Sequence, residues 1–491
     1  MAKFTLDEIK NVLGAERISK TKDKIYDTNV EITDVSTDTR TIGKGDIFFA
    51  LKGENFNGDE YAAMAIEAGA AAVVVSNASY IPEGGIGIVV EDTSDALARL
   101  AKHYRLRLGL GGCKVIGITG SVGKTSTRNL IRDVLATGYK VHATTANNNN
   151  EIGMSKAILS APADTEILIL EMGMRALGEI SYLTNIALPD LAVITNTGYS
   201  HIGRLGSREN IIKAKFEIAE GLTDGGILAV NGDDPQLFEY AISNLPLGKM
   251  VVGITSKLSD DNPYSAWFMK SSLVVTDDEG TTFDSCIASP ESSSDFISGI
   301  RISQHGDAAV RNVLFALYCA YHFGLGRDDD SKDLIRSAIS DFSQGAGRGL
   351  ATETDKYLII NDAYNASPES MATAFENFKY QSRGRRGVMA LGGVLELGDY
   401  APVLHEMIGK NCARYDVDRV FVTGDNADDF IRGAHSINMR LEIIKCSDTE
   451  DMRRRLEEYL KPGDCVLFKG SHSFGLEKLA DYFIEKGNES K

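Results

Sequence analysis

The sequence predicts an α/β protein of three domains. The central one is a parallel-sheet domain carrying a phosphate-binding loop, and the last is Rossmann-like. Three observations predict this. The chain has 491 residues, more than one hydrophobic core supports, and at about 150 residues per domain it divides into about three. Short apolar runs alternate with helical patterns through the second and third blocks of the chain, the signature of parallel strands joined by crossover helices. One of those runs leads directly into a Gly-Lys-Thr turn.

The first block, residues 1–111, holds an apolar helical stretch at 62–68, strands at 71–75 and 86–90, and a Gly-rich run at 109–112 that reads as a linker. The second block, 112–346, has strand candidates at 114–119, 167–170, 191–195 and 227–230. Each is followed by polar or Gly-rich residues and then a helical pattern. Between about 254 and 302 the pattern turns Ser/Asp-rich and alternating, which reads as a small β-rich insertion. The third block, 347–491, returns to the strand–helix pattern, with strands at 357–360, 387–391, 419–423, 441–445 and 465–468. Ser447 and Glu450 have the spacing of a capping box for the helix after the fourth of these.

Apolar residues at 43% and charged residues at 25% are ordinary values for a globular protein, so disordered and fibrous classes drop out. A net charge of −17 argues against non-specific binding to nucleic acid or an anionic membrane. It leaves room for an anionic small substrate held by a few local Lys and Arg residues. The most apolar stretch, 61–75, carries Glu67 and is too short to cross a bilayer. The opening MAKFTLDEIKNVLG lacks the apolar core of a secretory signal. Six cysteines stand far apart with no CxxC spacing, so buried free thiols are expected. These features read as a cytoplasmic monomer with neither a nucleic-acid partner nor a membrane insertion.

The strongest chemical signal is CKVIGITGSVGKTSTRNLIRDVLA, residues 113–136. A buried strand runs into Gly120, Ser121, Val122, Gly123, Lys124, Thr125 and Ser126, and a helix begins at once. Glycines let the backbone curl so that its amides point inward, and the helix N-terminus adds partial positive charge. Lys124 can neutralise phosphate oxygens and the Thr125 hydroxyl can ligate Mg²⁺. This is the short G-x-x-G-K-T form of the loop. Other polar residues stand at strand ends: Glu171, Asn196 with His201 five residues on, Asn231 and Asp233. In an open parallel sheet these converge outside the carboxyl ends of the strands, which places Glu171 near a metal on the phosphates. Residues 211–222 read as an amphipathic helix carrying Lys213 and Lys215, by spacing alone a solvated basic face. The asparagine run 147–150 reads by itself as a turn.

Taken together, ITGSVGKTS, NNNNEIGM, EMGM…GEI, ITNTGYSHIGRLGSRENIIKAKFEI, NGDDP and NDAYNASPESM resemble the ATP-dependent Mur ligases of peptidoglycan synthesis. The likeness runs over essentially the whole chain. STDTR followed by GDIFFALKGENFNGDEYAAMAIEAGAAAVVV, residues 36–75, is similar to that family's N-terminal UDP-sugar domain. DAYNASPESM followed by LGGVLELGD looks closest to the branch that joins D-Ala-D-Ala to UDP-MurNAc-tripeptide.

The resemblance implies an ATP-dependent amide ligase working through an acyl phosphate. Residues 120–126 would hold ATP, with Asn312 on adenine and with Arg348 and Asp362 reaching phosphates and ribose. Two Mg²⁺ sites are implied, with Thr125, Glu171 and His201 as ligands. Lys215 matches a family lysine carbamylated by CO₂, which requires a neutral amine and therefore a depressed pKa. Catalysis would rest on Lys124, Lys215 and His201. Ser36, Asp38, Arg40 and Asn57 would face the UDP part of the substrate, and Asn149, Asn150, Tyr364 and Asn365 other parts of the substrates. The chain departs from the family pattern at Ala308 and Ala309, where His-Asn is usual, at Gly393 in place of Asp, at the 57–59 turn, where Asp-Gly-His is usual, and at His472 within KGSHSFGLE. Alternatives are a sibling ligase with another acceptor, a folylpolyglutamate-synthetase-like enzyme and a catalytically silent nucleotide-binding regulator.

Overall fold

The computed structural model describes residues 4–20, 30–53, 56–145, 148–256, 266–289, 291–342 and 349–488. Arg348 and Asn147 lie outside the described residues. Three main sheets follow one another along the chain. The first has five strands in the spatial order Glu16–Ser19, Ile86–Val89, Ala72–Val75, Ile47–Phe49 and Val35–Ser36, parallel apart from the first. Helix Ala62–Glu67 packs on it.

The central sheet has nine strands. Seven are parallel, in the order Val141–Ala143, Ile167–Glu171, Lys114–Thr119, Leu191–Ile194, Ile227–Asn231, Met250–Thr255 and Trp267–Asp277. The apolar runs of the five inner strands, Ile167–Glu171 to Met250–Thr255, are largely buried on both faces, as parallel strands under crossover helices require. The segment read as a β-rich insertion supplies Trp267–Asp277, Gly280–Ala288 and Ser293–Ile302, the last two antiparallel, which extend this same sheet at its edge. The third sheet runs Leu350–Glu353, Leu358–Asn361, Cys465–Lys469, Gly387–Gly392, Arg419–Thr423 and Glu442–Lys445, with only the first strand antiparallel.

Strand order positions the site. Lys114–Thr119 lies between Ile167–Glu171 and Leu191–Ile194, so successive crossovers leave it on opposite sides. Cys465–Lys469 sits likewise between Leu358–Asn361 and Gly387–Gly392. Such reversals open a crevice at the carboxyl ends of the strands. Here the two crevices face each other across one cleft.

Two sequence expectations are corrected. The Gly-rich run at 109–112 is not simply a linker, because helix Thr93–Leu110 continues through Gly109 and ends at Gly111. Its buried face, with Leu100, Tyr104 and Leu108, outweighs the roughly 1 kcal/mol that a helical glycine costs. The helix Thr449–Tyr459 is capped by Asp448, whose carboxylate accepts from the Asp451 amide at 2.8 Å, rather than by Ser447. Aspartate caps as well as serine, and it stands one residue closer. All six cysteines are free, and burial raises the Cys412 thiol to about 12 and the Cys113 thiol to about 11. Among the described residues no helix is long and apolar enough to cross a membrane.

Candidate active site

The phosphate-binding loop is shaped by its glycines and braced from the neighbouring strand. Gly120 has φ +155°, and a Cβ there would stand 1.9 Å from the Thr195 hydroxyl. Gly123, at φ +81°, starts helix Lys124–Leu135 with no side-chain cap. The first-turn amides are therefore left for an anion. Asn196 donates from Nδ2 to the Val122 carbonyl at 2.9 Å and accepts the Val122 amide at 3.0 Å on Oδ1. The Lys124 ammonium folds back onto the Gly120 carbonyl at 2.7 Å. Ser121 Oγ is buried without a hydrogen-bond partner among the described residues. Asn312, on the facing helix Asp307–His322, accepts the Thr127 hydroxyl at 3.1 Å and stands against Gly123.

Glu171, at the end of its strand, is 2% exposed. Its Oε2 accepts the Thr125 hydroxyl at 3.0 Å and the Arg128 guanidinium at 3.1 Å, and its Oε1 accepts Asn149 Nδ2 at 3.2 Å. A hydroxyl and a carboxylate touching at the head of a phosphate loop form an oxygen donor set suited to Mg²⁺. Arg128, absent from the sequence expectations, supplies the balancing charge. Among the described residues no group of three or more His, Cys, Asp or Glu side chains converges as a metal cluster. Glu171 and His201 line one cleft, but each is engaged by its own partners.

Helix Arg208–Phe216 carries the two candidate lysines on different faces. Lys213 pairs with Glu209 at 2.8 Å on the surface. Lys215 is 2% exposed and makes no hydrogen bond or ion pair with a described residue. Burial first, and the like charge of Lys124 second, push its amine well below 10.5, against a smaller opposing pull from Glu369. The solvated-face reading therefore holds for Lys213 and fails for Lys215. His201 is also lowered, by burial above all, with Glu396 opposing and Lys215 and Lys124 adding to the drop.

The third sheet brings the rest. Lys469, 1% exposed, donates to the Asp362 carboxylate at 2.8 Å and to the carbonyls of Asp362 and Asn365 at 3.2 Å each. This fixes the loop that carries Tyr364 and Asn365. The Tyr364 ring lies 6.3 Å from that of His472. Glu369 accepts the Tyr199 amide at 2.7 Å on Oε1, while its Oε2 is buried without a hydrogen-bond partner among the described residues. Glu396 accepts from His201 Nδ1 at 2.7 Å. The loop before Glu396 depends on His405, whose Nε2 accepts the Val394 amide at 3.0 Å while its Nδ1 faces the Ala401 carbonyl at 2.7 Å.

Burial lowers His405 from 6.5. The unfolded chain thus binds a proton there at a higher pH than the folded chain does. The associated stability is fully present above about 6.5 and is lost as pH falls through the folded value. We expect the drop in Tm between about pH 7.5 and 5 to shrink in His405→Gln, measured by calorimetry. An unchanged pH profile would show that His405 does not carry the effect. His142, His305 and His322 are lowered in the same way and leave a residual slope.

One cleft of 1610 Å³ gathers residues 120–126, Asn149, Asn150, Glu171, His201, Lys215, Asn312, Asp362, Tyr364 and Asn365. That exceeds the roughly 300–1,000 Å³ of a single-ligand pocket and suits several substrates at once. Ser36, Asp38, Arg40 and Asn57 do not line it. The Arg40 guanidinium forks onto the Asp38 carboxylate, at 2.9 Å from Nε, and holds it down at about 2. Ser36 Oγ donates to the Asp38 carbonyl at 3.1 Å, and Asn57 caps a short turn at the Asp59 amide. Arg128, Glu369, Glu396 and Lys469 are the site residues that sequence reasoning missed. Each lies inside a segment singled out from the sequence (residues 113–136, DAYNASPESM, LGGVLELGD and KGSHSFGLE), but no role was assigned to it there.

Family comparison decides the affiliation. The Mur ligase middle domain matches residues 118–320, the Mur ligase glutamate ligase domain 348–472, and the Mur ligase family catalytic domain 31–105. The chain belongs to the Mur ligase family. This Mur ligase is 36% identical over 484 residues to the UDP-N-acetylmuramoyl-tripeptide–D-alanyl-D-alanine ligase of Bacillus subtilis, covering 97% of this chain and 98% of that one. It is 31% identical to the enzyme of that name from Mycobacterium tuberculosis, covering 99% and 98%. Among solved structures, it matches MurF from Acinetobacter baumannii with TM-score 0.82 and 26% identity over 99% of each chain. MurF from Thermotoga maritima in complex with ADP matches with TM-score 0.74 and 27% identity, over 92% of this chain and 97% of that one.

Proposed function

We propose that this Mur ligase joins D-Ala-D-Ala to UDP-MurNAc-tripeptide in the cytoplasm, with ATP as the energy source. The observation that carries the reading is full-length similarity to ligases of that name, in a chain whose phosphate loop faces a second set of strand ends across one cleft. A tripeptide carboxylate oxygen attacks the γ-phosphorus and ADP leaves, giving an acyl phosphate. The amine of D-Ala-D-Ala then attacks the acyl carbon, inorganic phosphate leaves with the broken C–O bond's electron pair, and the amine nitrogen loses its proton.

The chain's own residues position and neutralise. Lys124 and the first-turn amides hold the β- and γ-phosphates. Asn312 would contact the adenine and Asp362 the ribose, and Arg348 is the residue the family resemblance assigns to the phosphates. Thr125 and Glu171, joined by His201, would hold Mg²⁺, which when bound offsets charge on the transferring phosphoryl group. Lys215 takes up CO₂ as a carbamate that supports the same end of the site. Ser36, Asp38, Arg40 and Asn57 bind the UDP portion, Asn149 and Asn150 lie along the peptide, and Tyr364 and Asn365 border the acceptor. Enclosure of the cleft protects the acyl phosphate from water.

The test is a phosphate-release assay with UDP-MurNAc-tripeptide and ATP, comparing D-Ala-D-Ala with single amino acids as acceptors. Release that depends on D-Ala-D-Ala supports the reading. Release that ignores the dipeptide, or prefers a single amino acid, defeats it.

A further inference from the structure

The loop that carries His201 is gripped from the C-terminal domain. Glu396, 195 residues further along the chain, accepts from His201 Nδ1 at 2.7 Å through Oε2 and from Arg204 at 3.3 Å through Oε1. Its carbonyl accepts the Gly203 amide at 3.1 Å, and the Tyr400 hydroxyl donates to the Gly206 carbonyl at 2.7 Å. The two backbones lie so close that a Cβ on Gly203 would come within 2.5 Å of the Gly398 nitrogen. His201 at φ +65° and Glu396 at φ +61° both adopt the left-handed conformation, which few non-glycine residues do. Such backbone is strained and persists only where its surroundings fix it. Here each strained residue is fixed by the other.

An ionised carboxylate only accepts hydrogen bonds, so Glu396 requires the proton on His201 Nδ1. Nε2, which has no hydrogen-bond partner among the described residues, is then the ring nitrogen that keeps its lone pair, on a residue that lines the cleft. A carboxylate behind a histidine is how metal-binding imidazoles are commonly oriented, and loss of such a partner costs about 10- to 100-fold in metal affinity or activity.

We propose that Glu396 is a positioning residue which, from the C-terminal domain, fixes the Nδ1–H tautomer and the orientation of His201, so that the cation end of the phosphate site is complete only while that domain is docked. This rests on the functional reading above for the role of His201. It supplies a physical reason for ordered chemistry. The domain that presents the acceptor also finishes the apparatus that activates the donor, and an undocked enzyme forms less acyl phosphate for water to hydrolyse.

The experiment uses the full chain with Glu396→Leu, which removes the acceptor, and Glu396→Gln, which keeps an acceptor oxygen without charge. Mn²⁺ affinity is measured by electron paramagnetic resonance with a non-hydrolysable ATP analogue. The His201 tautomer is read from ¹⁵N ring resonances, assigned by difference against His201→Asn. We expect Glu396→Leu to weaken Mn²⁺ binding about 10- to 100-fold and to lose the Nδ1–H signature, while Glu396→Gln keeps the tautomer and loses less affinity. Wild-type Mn²⁺ affinity and tautomer in Glu396→Leu would overturn the proposal, as would equal losses in both variants with the tautomer intact. If Glu396→Leu fails to fold, Glu396→Ser removes the acceptor without adding apolar surface and is judged by the same outcomes. Neither readout needs the acceptor or turnover. A wild-type enzyme that released no phosphate with D-Ala-D-Ala would therefore defeat the functional reading while leaving this test intact.

Discussion

Lys124→Ala is expected to lower D-Ala-D-Ala-dependent phosphate release on the order of 10³-fold while leaving the fold nearly unchanged. The asymmetry follows from where the side chain spends its interactions. Lys124 opens its helix, and its ammonium donates to the Gly120 carbonyl at 2.7 Å and to the Ser121 carbonyl at 3.5 Å, hydrogen bonds worth about 1 kcal/mol or less each to stability. With nucleotide bound, the same ammonium faces developing phosphoryl charge inside a cleft, where one preorganised donor is worth far more. Steady-state kinetics with a melting curve on the same preparation checks both halves. Near-normal turnover, or a large loss of Tm, would remove Lys124 from the phosphate-binding role.

The second large effect is expected at Lys215. A buried amine with no hydrogen-bond or ion-pair partner among the described residues is an expensive residue to keep, because burial penalises its charged form. Its folded value lies well below 10.5, whereas the unfolded chain keeps the proton up to that pH. In the window between the two values stability therefore rises with pH, and it falls as pH drops through the folded value. Lys215→Met removes the buried amine and is expected to raise Tm at neutral pH while turnover falls about 10²- to 10³-fold. Lys215→Ala is expected to be as inactive but partly recovered by formate or acetate, which can occupy the space of a carbamate. Methionine fills that space, so no recovery is expected there. Full activity of either variant without added carboxylate would exclude a carbamate role. A Tm lowered in Lys215→Met would mean that the amine has stabilising partners after all.

These expectations differ in how far the sequence alone supports them. The phosphate loop was legible because its information is local. Glycines at 120 and 123, a lysine and a threonine fix a backbone shape that hardly depends on the rest of the chain. The parallel strands were legible for a related reason, and Lys114–Thr119 and Arg419–Thr423 fall where their apolar runs indicated. The boundary at Ser447 failed by one residue because two good capping residues are adjacent. The Gly-rich run at 109–112 failed because packing of helix Thr93–Leu110 overrode a local preference.

Lys213 and Lys215 mark the limit more sharply. They sit two positions apart on one helix, and periodicity shows only that they point to different sides. It does not say which side meets the cleft. The contacts of Glu396 and Glu369, though both residues lie in quoted motifs, were invisible for the same reason, since each acts on residues more than a hundred positions away in sequence. By itself, the sequence determined the layered α/β fold, the phosphate loop and the family, all of which rest on local backbone preferences and ordered motifs. The tertiary structure alone decided that Lys215 is buried with its amine pKa pushed down, that Glu171 is shared between Thr125 and Arg128, and that His201 is held by Glu396. Burial and charge at a point depend on every element packed around it, and in this chain those elements come from both sides of one interdomain cleft.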